Sequence, residues 1–399
     1  MSHSLRSVLL FVAAGTLLFA CSKPSGDGNP QASDAGPLVG PLVVKIGHAA
    51  PLTGAQAAIG KDNENGARLA IEDANAAKIK IGGREVHFEF ISEDDQADPK
   101  QGTLVAQKFV DAKVNAVIGH LNSGSTIPAS RIYSEAGIPQ VSPSATNPTY
   151  THQGFKTAFR VMANDEQQGK ALGKFAVETL KIKTIAVIDD KTAYGEGLAN
   201  EFKKYVEANG VKVIAAEHTD DKSIDFTAIL TNIKSKKPDA VFYGGMYPQA
   251  GPMVAQMKKL GLGAKLLTGD GGCAIEFLNL AGDAAAGNYC SLPGVPLDKM
   301  PGGANFVERF NKRFNVPIQQ YAPNAYDAAM VVVEAIKRAG SADSAKILAE
   351  LPKTMHSGIT SNAISFDENG DIKNGAVTIY QYSATGKTAV ETIGGAPKP

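Results

Sequence analysis

Val117-Ile118-Gly119-His120-Leu121-Asn122-Ser123-Gly124-Ser125-Thr126 is a short apolar run that stops in small hydroxyl, amide and glycine residues. A helical pattern, Ile127-Pro128-Ala129-Ser130-Arg131-Ile132-Tyr133, follows at once. The same kind of ending recurs at Ser142-Pro143-Ser144-Ala145-Thr146-Asn147-Pro148. A strand that ends in small hydroxyl residues and opens a helix presents unpaired backbone N–H groups beside O–H donors. That is a socket for a carboxylate or a phosphate. It reads here as a carboxylate socket, with the rest of the chain arranged to close over it.

Outward from this stretch, strands and helices alternate. Leu42 to Gly47 is a β run, and Gly60 to Ala77 is helical with Ala67, Ala70, Ile71 and Ala74 on one face. Val86 to Ile91 alternates and ends in Ser92-Glu93-Asp94-Asp95; Asp98-Pro99 then opens a helix, proline being suited to a first turn. Asn115 to Gly119, Pro139 to Val141 and Phe155 to Val161 complete a first array. After Asn164-Asp165 the pattern restarts. It gives a helix over Asp165 to Leu180, strands at Thr184 to Ile188, Val211 to Ala216, Ala240 to Tyr243 and Leu266-Leu267, and helices between them. In one of these, Phe226, Ile229, Leu230 and Ile233 keep i, i+3, i+4, i+7 spacing. Two successive βα arrays predict two parallel sheets. Beyond Pro293 come helices at Asn305 to Phe314, Ala325 to Ala339 and Ala342 to Leu351. Ala363 to Phe366 and Val377 to Tyr382 then read as a hairpin around Asp367-Glu368-Asn369-Gly370. Neither block buries a core alone, so both are expected to pack back on the two arrays.

The chain has 399 residues, a formal net charge of zero and 43% hydrophobic residues. With no basic excess to neutralise phosphates, nucleic acid is an unsuitable partner. Arg6, the apolar run Val8 to Ala14 and Gly15-Thr16-Leu17-Leu18-Phe19-Ala20-Cys21 make an export signal too short to span a bilayer. Leu18-Phe19-Ala20-Cys21 resembles a bacterial lipoprotein signal, with Cys21 the lipidated residue; a plain signal peptide with a chance cysteine is the alternative. Ser22 to Gly40 is a Ser-, Gly-, Pro- and Ala-rich tether without apolar bulk. Cys273 and Cys290 remain as an even pair in an oxidising setting, either disulfide-bonded or two buried thiols. The seven histidines are scattered and no cysteine has zinc spacing, so no metal site is expected. No G-x-G-x-x-G follows the first strand, and neither a P-loop nor a G-x-S-x-G elbow occurs, so no cofactor and no enzyme activity are expected. Asp94-Asp95 and Asp189-Asp190 read as strand-end loops and caps.

Several motifs, in order, resemble the periplasmic Leu/Ile/Val-binding proteins of ABC amino-acid importers. They are Gly119-His120-Leu121 with Ser123 and Ser125-Thr126, Ser142-Pro143-Ser144-Ala145-Thr146, Asp190-Lys191 with Tyr194-Gly195-Glu196-Gly197-Leu198-Ala199, Tyr243-Gly244-Gly245, and Phe366-Asp367-Glu368-Asn369-Gly370-Asp371. The resemblance runs from about Val43 to nearly the end. It implies an α/β type I periplasmic-binding fold, two doubly wound parallel-sheet lobes joined by three crossover segments with a ligand between them. Residues 1–21 would be the signal and 22–40 the linker. Lobe one would be 41–162 and 293–357; lobe two would be 163–292 and 358–399. The implied protein is a monomer in the periplasm, held to a membrane by its lipid, that binds an amino acid and serves an ABC permease and its ATPase subunits. A periplasmic sensor of amino acids or amides that signals to a membrane partner is the rival reading.

The resemblance also implies roles for residues. Ser123 O–H, Thr146 O–H and the Thr146 N–H, next to Ala145, would hold the ligand carboxylate; the plainer alternative is that Ser123 and Thr146 cap helices. The Ser144 carbonyl and the Asp270 carboxylate would take the ammonium. The family has Glu at that last position, so Asp270 is one methylene short. Tyr194 would help to cover the ligand. Leu121, Asn122 and Tyr321 would wall the side-chain pocket, with Ile59 and Met246 each replacing a family Tyr, or else belonging to ordinary core. Two lost rings predict a roomier pocket and tolerance for bulkier apolar ligands. Relatives carry a first-lobe disulfide whose two positions here are Ala97 and Asn122; by that resemblance Cys273 and Cys290 would staple the second lobe instead.

Overall fold

The computed structural model describes residues 40–395; Cys21, the export signal and the tether up to residue 39 lie outside the described residues. The first array comprises β1 (Leu42–Ala50), α1 (Ala57–Ala76), β2 (Lys80–Ile81), β3 (Arg84–Asp94), α2 (Pro99–Asp111), β4 (Ala116–Gly119), α3 (Ser123–Ala136), β5 (Gln140–Ser142), α4 (Thr149–His152) and β6 (Ala158–Arg160). The second comprises α5 (Asp165–Lys174), β7 (Thr184–Asp189), α6 (Ala193–Ala208), β8 (Lys212–His218), α7 (Thr227–Lys236), β9 (Ala240–Gly244), α8 (Tyr247–Leu260), β10 (Lys265–Thr268), α9 (Glu276–Ala281) and β11 (Tyr289–Pro293). Then follow α10 (Gly303–Phe314), α11 (Ala322–Ala339), α12 (Ser344–Glu350), β12 (Ala376–Tyr382) and β13 (Lys387–Gly394).

These elements form two lobes, each with its own sheet. The first sheet runs β2-β3-β1-β4-β5-β6, parallel except for the short β2. The second runs β13-β12-β11-β10-β9-β7-β8, parallel except for β12 and β13. In each sheet the strand order reverses once, beside β1 and β4 in the first and beside β7 and β9 in the second. Ligands of open α/β sheets sit outside strand C-termini at such reversals. The chain passes between the lobes three times, after β6, after β11 and before β12.

Helices start where the sequence supplies caps. Asp98 accepts from the N–H groups of Lys100 and Gln101 at 2.8 and 3.0 Å, with Pro99 in the first turn of α2. Asn164 and Gln167 cap α5 reciprocally. One face of the first sheet is covered by α1, α10 and α11 through Ala67, Ile71, Phe306, Ala328 and Val332. The other is covered by α2 and α3 through Phe109, Ala129 and Tyr133. In the second lobe Phe202 of α6 stacks on Phe242 of β9 with ring centroids 4.1 Å apart. Burial of such side chains, at ~1.5–3 kcal/mol each, is the main driving force for both lobes.

Three expectations change. The partner of β12 is β13, not 363–366: β13 is an edge strand, mostly exposed, with only Val390 and Ile393 as large apolar residues. The Asp367–Gly370 turn is local instead. Asp367 Oδ1 accepts from the N–H groups of Asn369 and Asp371 at 2.9 and 3.0 Å, leaving only isolated bridges at Phe366–Ile372 and His356–Ile364. The boundary at 357 also moves. Ile364 and Phe366 are buried in the first lobe, Phe366 lying 5.1 Å from the Phe159 ring, so the third crossing comes after Ile372. The helix expected to run to Leu180 loosens into a π-turn over Phe175–Thr179.

Candidate functional site

Between the lobes lies a nearly filled cavity of about 10 Å³, lined by Leu121, Asn122, Ser123 and Ser144 from one side, Tyr194, Met246 and Asp270 from the other, and Tyr321. Each comes from a strand end or helix start. Leu121 to Ser123 follow β4, Ser144 follows β5, Tyr194 opens α6 after β7, Met246 follows β9, Asp270 follows β10 and Tyr321 precedes α11. Gly119 lets β4 end there: its φ is +124°, and a Cβ would lie 2.5 Å from the Ala49 carbonyl oxygen. A wider groove over the second crossing, lined by Leu292, Leu297, Met300 and Ile318 among others, lacks the facing hydroxyls and acid of this cavity.

The hydroxyl side is held from behind. Ser123 is the first residue of α3 and does not cap it; its Oγ accepts from the Asn147 N–H at 3.2 Å. Asn63 of α1 donates to Ser144 Oγ at 3.1 Å and meets His48 Nε2 at 3.2 Å, while His48 Nδ1 meets Ser92 Oγ at 3.0 Å. Burial pushes His48 down to about 4, so at neutral pH it is a neutral link in this chain. Arg160, fully buried in β6, donates to the Ala145 and Asn147 carbonyls at 2.9 and 3.0 Å and pairs with Asp371 at 2.5 Å. That pair fixes the loop carrying Ser144 to Thr146. Thr146 caps no helix; its hydroxyl is buried with no hydrogen-bond partner in the protein.

The acidic side converges on one carboxylate. Asp270 is 1% exposed; its Oδ1 accepts from Tyr194 O–H at 2.8 Å and Gln168 Nε2 at 2.9 Å, and its Oδ2 from Tyr321 O–H at 2.7 Å. All three donors are neutral. Burial raises the Asp270 pKa, against the pull of the three hydrogen bonds, and pushes both tyrosines well above their usual value. Gln168 grips the acid at both ends, since its Oε1 also accepts from the Asp270 N–H at 3.0 Å. Tyr321 is held in turn by Asp62 of α1, whose carboxylate accepts from the N–H groups of Gln319, Gln320, Tyr321 and Ala322 at 2.7–3.0 Å. Gln320 Nε2 donates to the Asp270 carbonyl at 3.0 Å. The bonds from Tyr321 and Gln320 join the lobes across the site. Tyr247 adds another, its O–H donating to the Ala55 carbonyl at 2.7 Å. Asp165 lies beside this group, fully buried and with neither oxygen hydrogen-bonded, and burial followed by the charge of Asp270 drives its pKa up. The site thus pairs hydroxyls on one side with an acid that has no cationic partner among its hydrogen-bonding neighbours on the other.

The structure therefore brings together Leu121, Asn122, Ser123, Ser144, Tyr194, Met246, Asp270 and Tyr321. Ile59, Ala145 and Thr146 are buried but do not line the cavity. Tyr321, expected in the pocket wall, also donates its O–H to Asp270. Met246 is 5% exposed and Ile59 fully buried, both within the packed core at the cleft. Sequence reading missed Asp62, Asn63, Gln168 and Gln320. For the first two a signal existed, since they are polar residues on the face by which α1 enters the core. Among the described residues no group of His, Cys, Asp and Glu could hold a metal ion, and no helix is long and apolar enough to cross a membrane.

Residues 43–387 match the family model described as periplasmic binding protein. The chain belongs to that family. A Pseudomonas aeruginosa protein named as a leucine-, isoleucine-, valine-, threonine- and alanine-binding protein is 37% identical over 340 residues, covering 85% of this chain and 90% of its own. A leucine-binding protein of Thermotoga maritima superposes with a TM-score of 0.81 at 31% identity, over 88% of this chain and 98% of that one. A branched-chain amino-acid transporter substrate-binding protein of Streptococcus pneumoniae, solved with isoleucine, gives 0.81 at 28% identity over 88% and 99%. This family membership and the two-lobed parallel-sheet fold agree with the resemblance drawn from the motifs.

Proposed function

We propose that the protein is the periplasmic, lipid-anchored solute-binding component of an ABC importer, capturing branched-chain or other small apolar amino acids and delivering them to a membrane permease. The observation that carries this reading is Asp270. Its buried carboxylate faces the cleft with only neutral donors around it and lies opposite Ser123 and Ser144. An α-amino acid is complementary to that arrangement. Its ammonium replaces the missing counter-charge at Asp270, with the Ser144 carbonyl beside it. Its carboxylate meets Ser123, Thr146 and the Thr146 N–H, and its side chain lies against Leu121 and Met246, with Ile59 behind. Tyr194 and Tyr321 do not contact the acid as spectators: by donating their O–H groups to Asp270, they favour its ionised form inside a dry cleft.

Because the two lobes each supply part of the grip, the ligand has more contacts in the closed form than in the open one, and this difference drives closure. The closed cleft leaves about 10 Å³ free, so the lobes must part to admit an amino acid, and its apolar wall of Leu121 and Met246 suits aliphatic side chains. Relatives named for binding leucine, isoleucine and valine support the ligand class. Calorimetric titration with leucine, isoleucine, valine, methionine and phenylalanine tests the reading: saturable binding of the aliphatic three is expected, and no heat from any of them would overturn it. Mass spectrometry of the mature N-terminus in wild type and Cys21→Ser tests the anchor, a diacylglycerol adduct on Cys21 being expected.

A further inference from the structure

The turn that presents Asp270 is glycine-rich. It comprises Asp270, Gly271 and Gly272 in a 3-10 helix preceded by Gly269, so apart from Asp270 itself it has no side chain with which to pack. It is anchored from outside at its C-terminal end. Tyr382 O–H donates to the Gly272 carbonyl at 2.8 Å. Lys387 Nζ donates to the Cys273 carbonyl and lies 3.6 Å from the Cys273 sulfur. Cys273 is in turn bonded to Cys290 of β11. Carbonyls at the end of a helical turn have no partner within the turn, and a cationic donor makes the stronger bond to them. The C-terminal hairpin thus reaches the binding turn at two successive carbonyls.

We propose that Lys387 is a positioning residue for ligand binding: its ammonium tethers the Cys273 carbonyl and thereby fixes the turn that aims Asp270 into the cleft. This rests on the reading of Asp270 as the partner of the ligand ammonium.

The surroundings of Lys387 make the tether sensitive to pH. Its Nζ lies 5.5 Å from the Tyr380 ring centroid, and burial lowers its pKa to about 8, with the charges of Asp62 and Glu276 holding it up in part. The other titratable groups around it are Tyr380, pushed up to about 12 with Asp298 contributing, and Tyr382, pushed higher still; neither titrates near 8. The Cys273–Cys290 disulfide does not titrate. Loss of the Lys387 proton therefore weakens the tether as pH rises through about 8.

The test is calorimetric titration of the full chain with L-leucine between pH 6.5 and 9.5, for wild type, Lys387→Met, Lys387→Arg and Tyr382→Phe. Lys387→Met is expected to bind about tenfold more weakly at pH 7, the lower end for loss of a charge-assisted hydrogen bond. Wild-type affinity should fall with a break near pH 8 that Lys387→Met lacks, each curve also carrying the shared titration of the ligand amine. Lys387→Arg should restore most of the pH 7 affinity without the break. Tyr382→Phe should weaken binding and keep it. Lys387→Met affinity equal to wild type at pH 7, or a break near pH 8 persisting in Lys387→Arg, overturns the inference; the second result holds even if Lys387→Met fails to fold. Absence of leucine, isoleucine and valine binding by wild type at pH 7 would sink the reading of the site itself and is separable from either outcome.

Discussion

Replacing Asp270 by Asn removes one charge and almost no volume, which makes it the sharpest perturbation of the site. In the native cleft the carboxylate accepts three neutral hydrogen bonds, two at Oδ1 from Tyr194 and Gln168 and one at Oδ2 from Tyr321. An amide keeps one acceptor oxygen and replaces the other with an N–H group, which a rotated tyrosine hydroxyl can accept but the Gln168 N–H cannot. Without ligand the loss is small, because burial disfavours the charged form of Asp270 and a neutral amide costs less to bury than a carboxylate. With ligand it is large, since the ammonium then lies desolvated beside a neutral group. Losing one partner of such a buried pair costs about 2–5 kcal/mol, or about 30- to 4,000-fold in Kd. Titration with L-leucine measures the loss, and the melting temperature of the unliganded protein separates it from misfolding. The expected result is collapsed affinity with unliganded stability close to wild type. A Kd within about threefold of wild type would refute the assignment of Asp270 as counter-ion.

Tyr247→Phe removes a bond between lobes that lies outside the cavity lining. It should weaken affinity by about 2- to 13-fold, the range of a ~0.5–1.5 kcal/mol hydrogen bond, and stopped-flow release should show the change in koff. Asp190 is raised by burial to about 6, so folding stability is fully present below the ordinary carboxylate pKa and is lost as pH rises from about 4 to 6. Asp190→Asn should flatten the stability curve across that window by about 1–3 kcal/mol, and denaturant melts at pH 4, 5, 6 and 7 check it. The Cys273–Cys290 disulfide closes a segment with sequence separation 17. Replacing both cysteines by Ala should cost about 3 kcal/mol of second-lobe stability, measurable by denaturant unfolding under non-reducing conditions.

Most of the fold was legible because its signals are local. The runs at Ala116–Gly119, Thr184–Asp189 and Ala240–Gly244 are buried on both faces and read as continuous apolar strands. β11 and β13 escaped for different reasons, β11 because its pairing is not local. β11 lies between a parallel neighbour and an antiparallel one that arrives more than 80 residues later, and β13 is an edge strand with mostly exposed residues. The Asp367–Gly370 turn misled for a related reason. It has the composition of a hairpin turn, but Asp371 is bound to Arg160 of the first lobe and to Asn164 at the crossing into the second, and cannot lead 363–366 alongside β12. At the site, residues at strand ends were readable because short hydroxyls and a lone acid there have few structural uses. Gln168 and Gln320 were not, since an amide on a helix or loop is indistinguishable from surface until the fold brings it to Asp270 over 102 residues and 50 residues of chain.

The most direct test compares three ligands of one side chain: L-leucine, leucinamide, which lacks the carboxylate, and N-acetyl-leucine, which lacks the ammonium. If hydroxyls and amides from one lobe and Asp270 from the other grip both ends of a zwitterion, each analogue should bind at least about 10²-fold more weakly than leucine in the same calorimeter. An analogue missing either end that binds as tightly as leucine would contradict the account.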